Sequence, residues 1–214
     1  MGNYENVMSA LEKNGMTALF AKDRAEAKSI VESLLKEGDT VSHGGSVTLK
    51  ECGIPELLSC GKYNYLDRSK AKDAAETEEI YAKTFSADVF LTSTNALTEN
   101  GELYNVDGFS NRVAPMLFGP KKVIVVAGVN KIVPDVLAAA KRVKEIAAPL
   151  NCKRLNKETF CRENGKCVSI VNGDSDFCAG CESPDRICRS YVVMASQRDK
   201  ERVTVVLVGE ELGY

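Results

Sequence analysis

Among 214 residues there is one histidine, there are six prolines, and net charge is nearly absent at −2. The lone histidine, His43, and a single CxxC do not match the paired CxxC knuckles or Cys/His mixtures of zinc ribbons and fingers. Basic residues are spread along helical patterns such as "AAAKRVKEIA" and alternate with acids, so no positive stripe marks a nucleic-acid or anionic-lipid partner. The opening stretch "MGNYENVMSALEKNG" has no apolar run of signal-peptide length, and nothing later approaches a membrane span. Gly2 meets the first requirement of N-myristoylation, but no polybasic tract or second anchoring signal accompanies it. The expectation is a cytoplasmic protein with no membrane span and no nucleic-acid partner. There is no internal repeat and no low-complexity tract.

What is present is the composition of a globular protein, 44% hydrophobic and 27% charged. Helical and strand patterns alternate. "DRAEAKSIVESLLKEG" has a capping pattern at Asp23 and Glu26 and an apolar face of Ile30, Val31, Leu34 and Leu35. "SVTLKECGIPELLSC" reads as two short helices broken at Gly53-Ile54-Pro55, and "SKAKDAAETEEIYAKTFS" as one long helix. "DTVSH", "ADVFLTSTN", "KKVIVVAG" and "RVTVVLVG" read as strands, the last two as apolar as the interior of a parallel sheet. Pro134 is expected to open a helix, with Val136, Ala140, Val143 and Ala147 on one face, and Pro149 to end it. The alternation predicts an α/β fold, a mostly parallel sheet flanked by helices, in a single domain over 1–214.

The segment 152–190 interrupts that alternation like an insertion before the last strand, and it is rich in cysteine. Its spacing is Cys161-x5-Cys167-x10-Cys178-x2-Cys181-x6-Cys188. In a reducing compartment such a cluster points to metal or redox chemistry rather than disulfides. A CxxC turn can present both sulfurs to one ion or one corner of a cluster, and two further thiolates complete four ligands. Cys161, Cys178, Cys181 and Cys188 are the expected set, with Cys167 as the substitute. Arg186 and Arg189 stand ready to offset thiolate charge. Ligand type alone leaves an iron–sulfur cluster and structural zinc both open. Cys52, Cys60 and Cys152 read as structural.

Two polar stretches point to a small anionic ligand. "SHGGSVTLKE" sets His43, Gly44, Gly45 and Ser46 between a strand and a helix, where glycines allow a sharp turn and Ser46 is the natural N-cap. "LTSTNALTENGELYNVDG" ends a strand in Thr92, Ser93, Thr94 and Asn95, adds the carboxylates Glu99, Glu102 and Asp107, and contains a hairpin turn at Asn100-Gly101. Asn111 and Arg112 follow at a helix start as a further anion contact.

"GGSVTLKE", "TSTNALTENGELYNVDGFSNRVAPMLFGPKKVIVVAGVNKIV" and "SPDRICRS…VTVVLVGEELGY" together resemble the LUD-domain family, the lactate utilization proteins. The resemblance covers nearly the whole chain. It implies the α/β sheet of the ribose-5-phosphate isomerases, glucosamine-6-phosphate deaminases and CoA transferases. It also implies membership of a multi-subunit, iron–sulfur-containing system that oxidises L-lactate to pyruvate. Its cysteine tail carries onto Cys161, Cys178, Cys181 and Cys188, with "VSIVNGDSDF" lengthening the stretch after Cys167. It supplies no catalytic residue. The expectation is therefore an accessory or electron-handling subunit with one cysteine-bound centre and a pocket at Gly44, Gly45, Ser46, Thr94 and Asn95. The alternatives are a free-standing enzyme on a sugar phosphate, folate or CoA ester with structural zinc, or a non-catalytic metal-binding interaction module. Self-association suits the fold, and the sequence marks no interface.

Overall fold

The computed structural model describes residues 4–174 and 176–214, so Gly2, the candidate myristoylation site, lies outside the described residues. In chain order come α1 (Tyr4–Lys13), β1 (Thr17–Ala21), α2 (Arg24–Leu34), β2 (Thr40–His43), α3 (Val47–Glu51), α4 (Ile54–Leu58) and β3 (Asn64–Tyr65). Next are α5 (Ala74–Thr84), β4 (Val89–Thr92), β5 (Ala96–Thr98), β6 (Leu103–Asp107), α6 (Val113–Leu117), β7 (Lys122–Gly128) and β8 (Ile132–Val133). The chain ends with α7 (Val136–Arg142), α8 (Ala148–Arg154), α9 (Phe160–Asn164), α10 (Val168–Asn172), β9 (Ser190–Met194) and β10 (Val203–Val208).

The described residues form a six-stranded sheet in the order β1-β10-β7-β4-β2-β3, parallel throughout. This is the expected α/β class. The apolar run of β10 lies inside the sheet, between β1 and β7, where Val205 pairs with both Ala18 and Val125. Side-chain alternation sorts each strand between two cores. Val89, Leu91, Ile124, Val126, Val206 and Val208 face α2, α3 and α4, packing on Val31, Leu49 and Ile54. Phe90, Val123, Val125, Val205 and Leu207 face the other way, onto Val7 and Leu11 of α1 and Met116 of α6. All are essentially shut off from water, so truncating one such leucine to alanine costs about 2–5 kcal/mol.

A second sheet, β8-β5-β6-β9, stands beyond the carboxyl end of β4. Its β5–β6 pair is antiparallel, the hairpin expected around Asn100-Gly101, with Gly101 at φ +79°. Pro134 and Pro149 behave differently from the sequence expectation. Asp135, not Pro134, caps α7, its carboxylate accepting from the Ala138 amide at 2.8 Å. Pro149 does not end the helix: a π-helical turn at Val143–Ala147 joins α7 to α8. A π turn changes the hydrogen-bond ladder locally, so the missing proline N–H is tolerated just beyond it. The helical run therefore reaches Arg154, and Ala139, Ala140, Val143 and Ala147 pack on Tyr104 and Val106 of the second sheet.

The segment 152–190 is packed into this layer. Cys152 lies in the last turn of α8, α9 and α10 follow, and the chain returns through "SPDRIC" into β9 beside β6. Phe177 meets Tyr104 edge-on with ring centroids 5.7 Å apart. No helix of the described residues is long and apolar enough to cross a membrane.

Candidate functional site

The parallel sheet delivers three loops to one place, because β2, β4 and β7 are neighbours and all end on the same edge. They carry Gly44–Ser46, Ser93–Asn95 and Val129–Lys131. Above them lies a cavity of about 390 Å³, open to solvent and lined also by the β6–α6 loop, α8, the Pro184–Cys188 turn and Tyr214. That is the size of a small-molecule site.

Of the residues expected here, Gly45, Ser46, Thr94, Asn95, Asn111 and Arg112 line the cavity. Ser46 caps α3, accepting from Leu49 N–H at 3.2 Å. A β-carbon on Gly45 would lie 2.7 Å from Arg68 Nη2, so the missing side chain makes room for a guanidinium. Gly44 serves the packing instead: its β-carbon would fall 2.7 Å from Cγ of the buried Arg112. His43 is turned away. It donates from Nδ1 to the Gly44 carbonyl at 2.7 Å and stacks on Tyr65, and burial lowers its pKa. Glu99 is exposed on the hairpin and does not line the cavity.

Arg112 is largely committed to the protein. Nη1 donates to Asn105 Oδ1 at 2.6 Å and Nη2 to Asn95 Oδ1 at 3.0 Å and the Val106 carbonyl at 2.9 Å. Nε pairs with Asp107 Oδ2 at 3.3 Å. A buried arginine held this way fixes β4, β6 and α6 together and leaves the cavity's free positive charge to other residues.

Those residues are ones the sequence reading passed over. Arg68, Lys131, Arg154 and Lys157 line the cavity, and among the described residues only Lys157 has a carboxylate partner, Asp185 at 3.3 Å. Lys131 is 2% exposed, and its Nζ donates to Thr48 Oγ1 at 2.8 Å, Ser93 Oγ at 2.9 Å and the Thr94 carbonyl at 3.2 Å. Burial, with Arg142 and then Arg112 nearby, lowers its pKa to about 7. Its one sequence signal was a lysine directly after an apolar strand, in "VIVVAGVNK". Arg154 donates from Nε to Tyr214 Oη at 2.8 Å, which fixes one wall.

A second, smaller cavity of about 20 Å³ lies behind this wall, and Cys152, Cys161, Cys167, Cys181 and Cys188 line it. Cys178 is exposed and is not part of that lining; Cys167, the substitute, and Cys152, read as structural, are. Cys152 was missed because it lies in a helix outside the spaced motif. Its sulfur is 3.7 Å from that of Cys161. Hydrogen bonding between these two sulfurs lowers the Cys161 pKa and raises that of Cys152. Burial, then the neighbouring Cys161 and Cys167, pushes Cys188 up to about 12. Arg186 ties the loop by donating to the carbonyls of Cys188 at 2.7 Å, Cys181 at 3.3 Å and Cys178 at 2.7 Å. As they stand, no three His, Cys, Asp or Glu side chains among the described residues are arranged to hold a metal ion. Thiols are the donors a thiophilic metal takes, and five of them line this cavity.

The two cavities share Val143, Ala148, Arg186, Ile187 and Cys188 as a common wall.

Comparison with known proteins adds the lineage. No curated protein matches the chain. A DUF162 family protein from Deinococcus radiodurans matches with TM-score 0.54 at 15% identity, covering 98% of this chain and 99% of that one, which shows a shared fold. Ribose 5-phosphate isomerase from Plasmodium falciparum matches with TM-score 0.33 at 16% identity over 52% of each chain. The β subunit of eIF2B from Chaetomium thermophilum matches with TM-score 0.35 at 17% identity, over 50% of this chain and 42% of that one. The LUD domain profile matches residues 4–208. The chain belongs to the LUD domain family, which is associated with lactate utilization.

Proposed function

We propose that the protein is an accessory, electron-handling component of L-lactate oxidation to pyruvate, with a cysteine-bound metal centre beside a small-anion cavity. The observation that carries this reading is the shared wall: Cys188 borders both the thiol-lined cavity and the cation-lined one. Cys161, Cys167, Cys181 and Cys188 are the proposed ligands, with the Cys152 thiol adjacent. A thiolate-bound iron–sulfur cluster takes up and passes on single electrons. The chain's own residues do the rest. Arg186 holds the backbone of the cysteine loop and offsets thiolate charge, Ile187 and Val143 keep water from the wall, and Arg68 and Arg154 attract a carboxylate. Hydride removal from lactate then falls to a partner subunit that binds this one, and a cytoplasmic setting keeps the thiols reduced.

One observation favours structural zinc instead: about 20 Å³ is room for a single ion or water. Metal analysis of protein made and purified without oxygen separates the two. Iron with acid-labile sulfide and a visible absorption band is the expected result; zinc alone selects the second reading, and no bound metal contradicts both. Cys181→Ser should remove the metal with the far-UV circular dichroism unchanged, whereas Cys178→Ser should keep it. Loss in both, or in neither, contradicts the proposed ligand set.

A further inference from the structure

A lysine shut off from water normally has a carboxylate beside it, because an isolated buried ammonium is costly. Lys131 has none among the described residues. Its three partners are the Thr48 and Ser93 hydroxyls and the Thr94 carbonyl. Hydroxyls both donate and accept, so Thr48 and Ser93 can serve the ammonium and also the neutral amine, whose lone pair needs a donor. A carboxylate would have locked the charged form. The groups around Lys131 act the same way: Arg142 and Arg112 oppose its charge, with Glu51 and Cys52 only partly offsetting them. Arg142 is itself held off, donating from Nη1 to the Asn95 carbonyl at 2.6 Å. Lys131 nevertheless lines the large cavity together with Arg68 and Arg154.

We propose that Lys131 is a catalytic amine, which adds to the carbonyl carbon of a small aldehyde or ketone carrying a carboxylate or phosphate and holds it as a reversible imine. The inference rests on reading the cavity as an anion site and goes further by naming the reaction at it. In the first step the Nζ lone pair forms the N–C bond while the C=O π pair moves to oxygen. A proton passes from nitrogen to that oxygen through the Ser93 or Thr48 hydroxyl, giving a carbinolamine. In the second, the hydroxyl leaves with a proton as water and the C=N bond forms. Water reverses both steps, and no oxidant or reductant takes part. Arg68 and Arg154 hold the anionic end.

The test is reductive trapping. The full chain is incubated with pyruvate or with dihydroxyacetone phosphate and sodium cyanoborohydride, and adducts are located by peptide mass spectrometry. One reduced ligand per chain on the Lys131 peptide is expected. The adduct is absent in Lys131→Met, and trapping rises as pH passes through about 7. Labelling by pyruvate alone identifies a keto acid as the ligand class, and labelling by dihydroxyacetone phosphate alone a phosphorylated ketone; either supports the proposal. Thermal-shift titration with the same two compounds runs in parallel. A ligand that stabilises the fold and leaves no adduct at Lys131 overturns the imine and leaves the anion site standing. No stabilisation and no adduct with either compound overturns both, and adducts spread equally over surface lysines in wild type and Lys131→Met overturn the imine.

Discussion

Gly44 and Gly45 are adjacent, share one turn, and do different work. A β-carbon on the first would meet Cγ of an arginine that several partners hold in place, and one on the second only the end of a flexible one. Gly44→Ala should therefore destabilise the fold by about 1–3 kcal/mol, as overpacking of a rigid site does. Gly45→Ala should leave the melting temperature nearly unchanged, displace Arg68 and weaken carboxylate binding several-fold. Denaturation and calorimetric titration of the two variants check this; equal stability losses would contradict the distinction. Sequence patterning brought both glycines to the ligand side of the sheet but could not separate them, because the difference lies in Arg68 and Arg112, which come from other elements. Lys131 was hidden for a related reason. A lysine is an ordinary surface residue until the packing of β4, α3 and β7 around it removes the water.

The helical run from Val136 to Arg154 shows the same limit for whole elements. Its apolar positions were legible, since Val136, Ala140, Val143 and Ala147 do face the second sheet. Its length was not, because Pro149 reads as a terminator unless the turn before it is π-helical. That turn places Asn151 and Arg154 on the large cavity and Cys152 on the small one. Inserting one alanine after Ala148 should lengthen the helical run and rotate everything beyond it by about 100°. Helicity should persist while metal content and anion binding both fall; retention of both would show that the phase of α8 does not position the site. The strands were easier to read: β7 and β10 are too apolar for anything but a sheet interior, and β4 passes from apolar to polar where it leaves that interior.

At the scale of the molecule, the parallel sheet sets the chemistry at one edge, the second sheet roofs it, and the cysteine segment closes the back of the same chamber. The α/β class was legible from strand–helix alternation, and so was the sheet edge to which the polar loops run. Which cysteines share a cavity was not, since Cys178 and Cys181 sit in the same CxxC yet only Cys181 lines the small cavity with the other sulfurs. The central claim is that the gathered thiols hold one inorganic centre against the wall of the anion cavity. Crystals grown without oxygen and measured at the iron absorption edge test it most directly. The account predicts anomalous density about 2.3 Å from Sγ of Cys161, Cys167, Cys181 and Cys188, with Cys178 outside it. A map with no anomalous density at the iron or zinc edge, and the sulfurs lying apart, would contradict it.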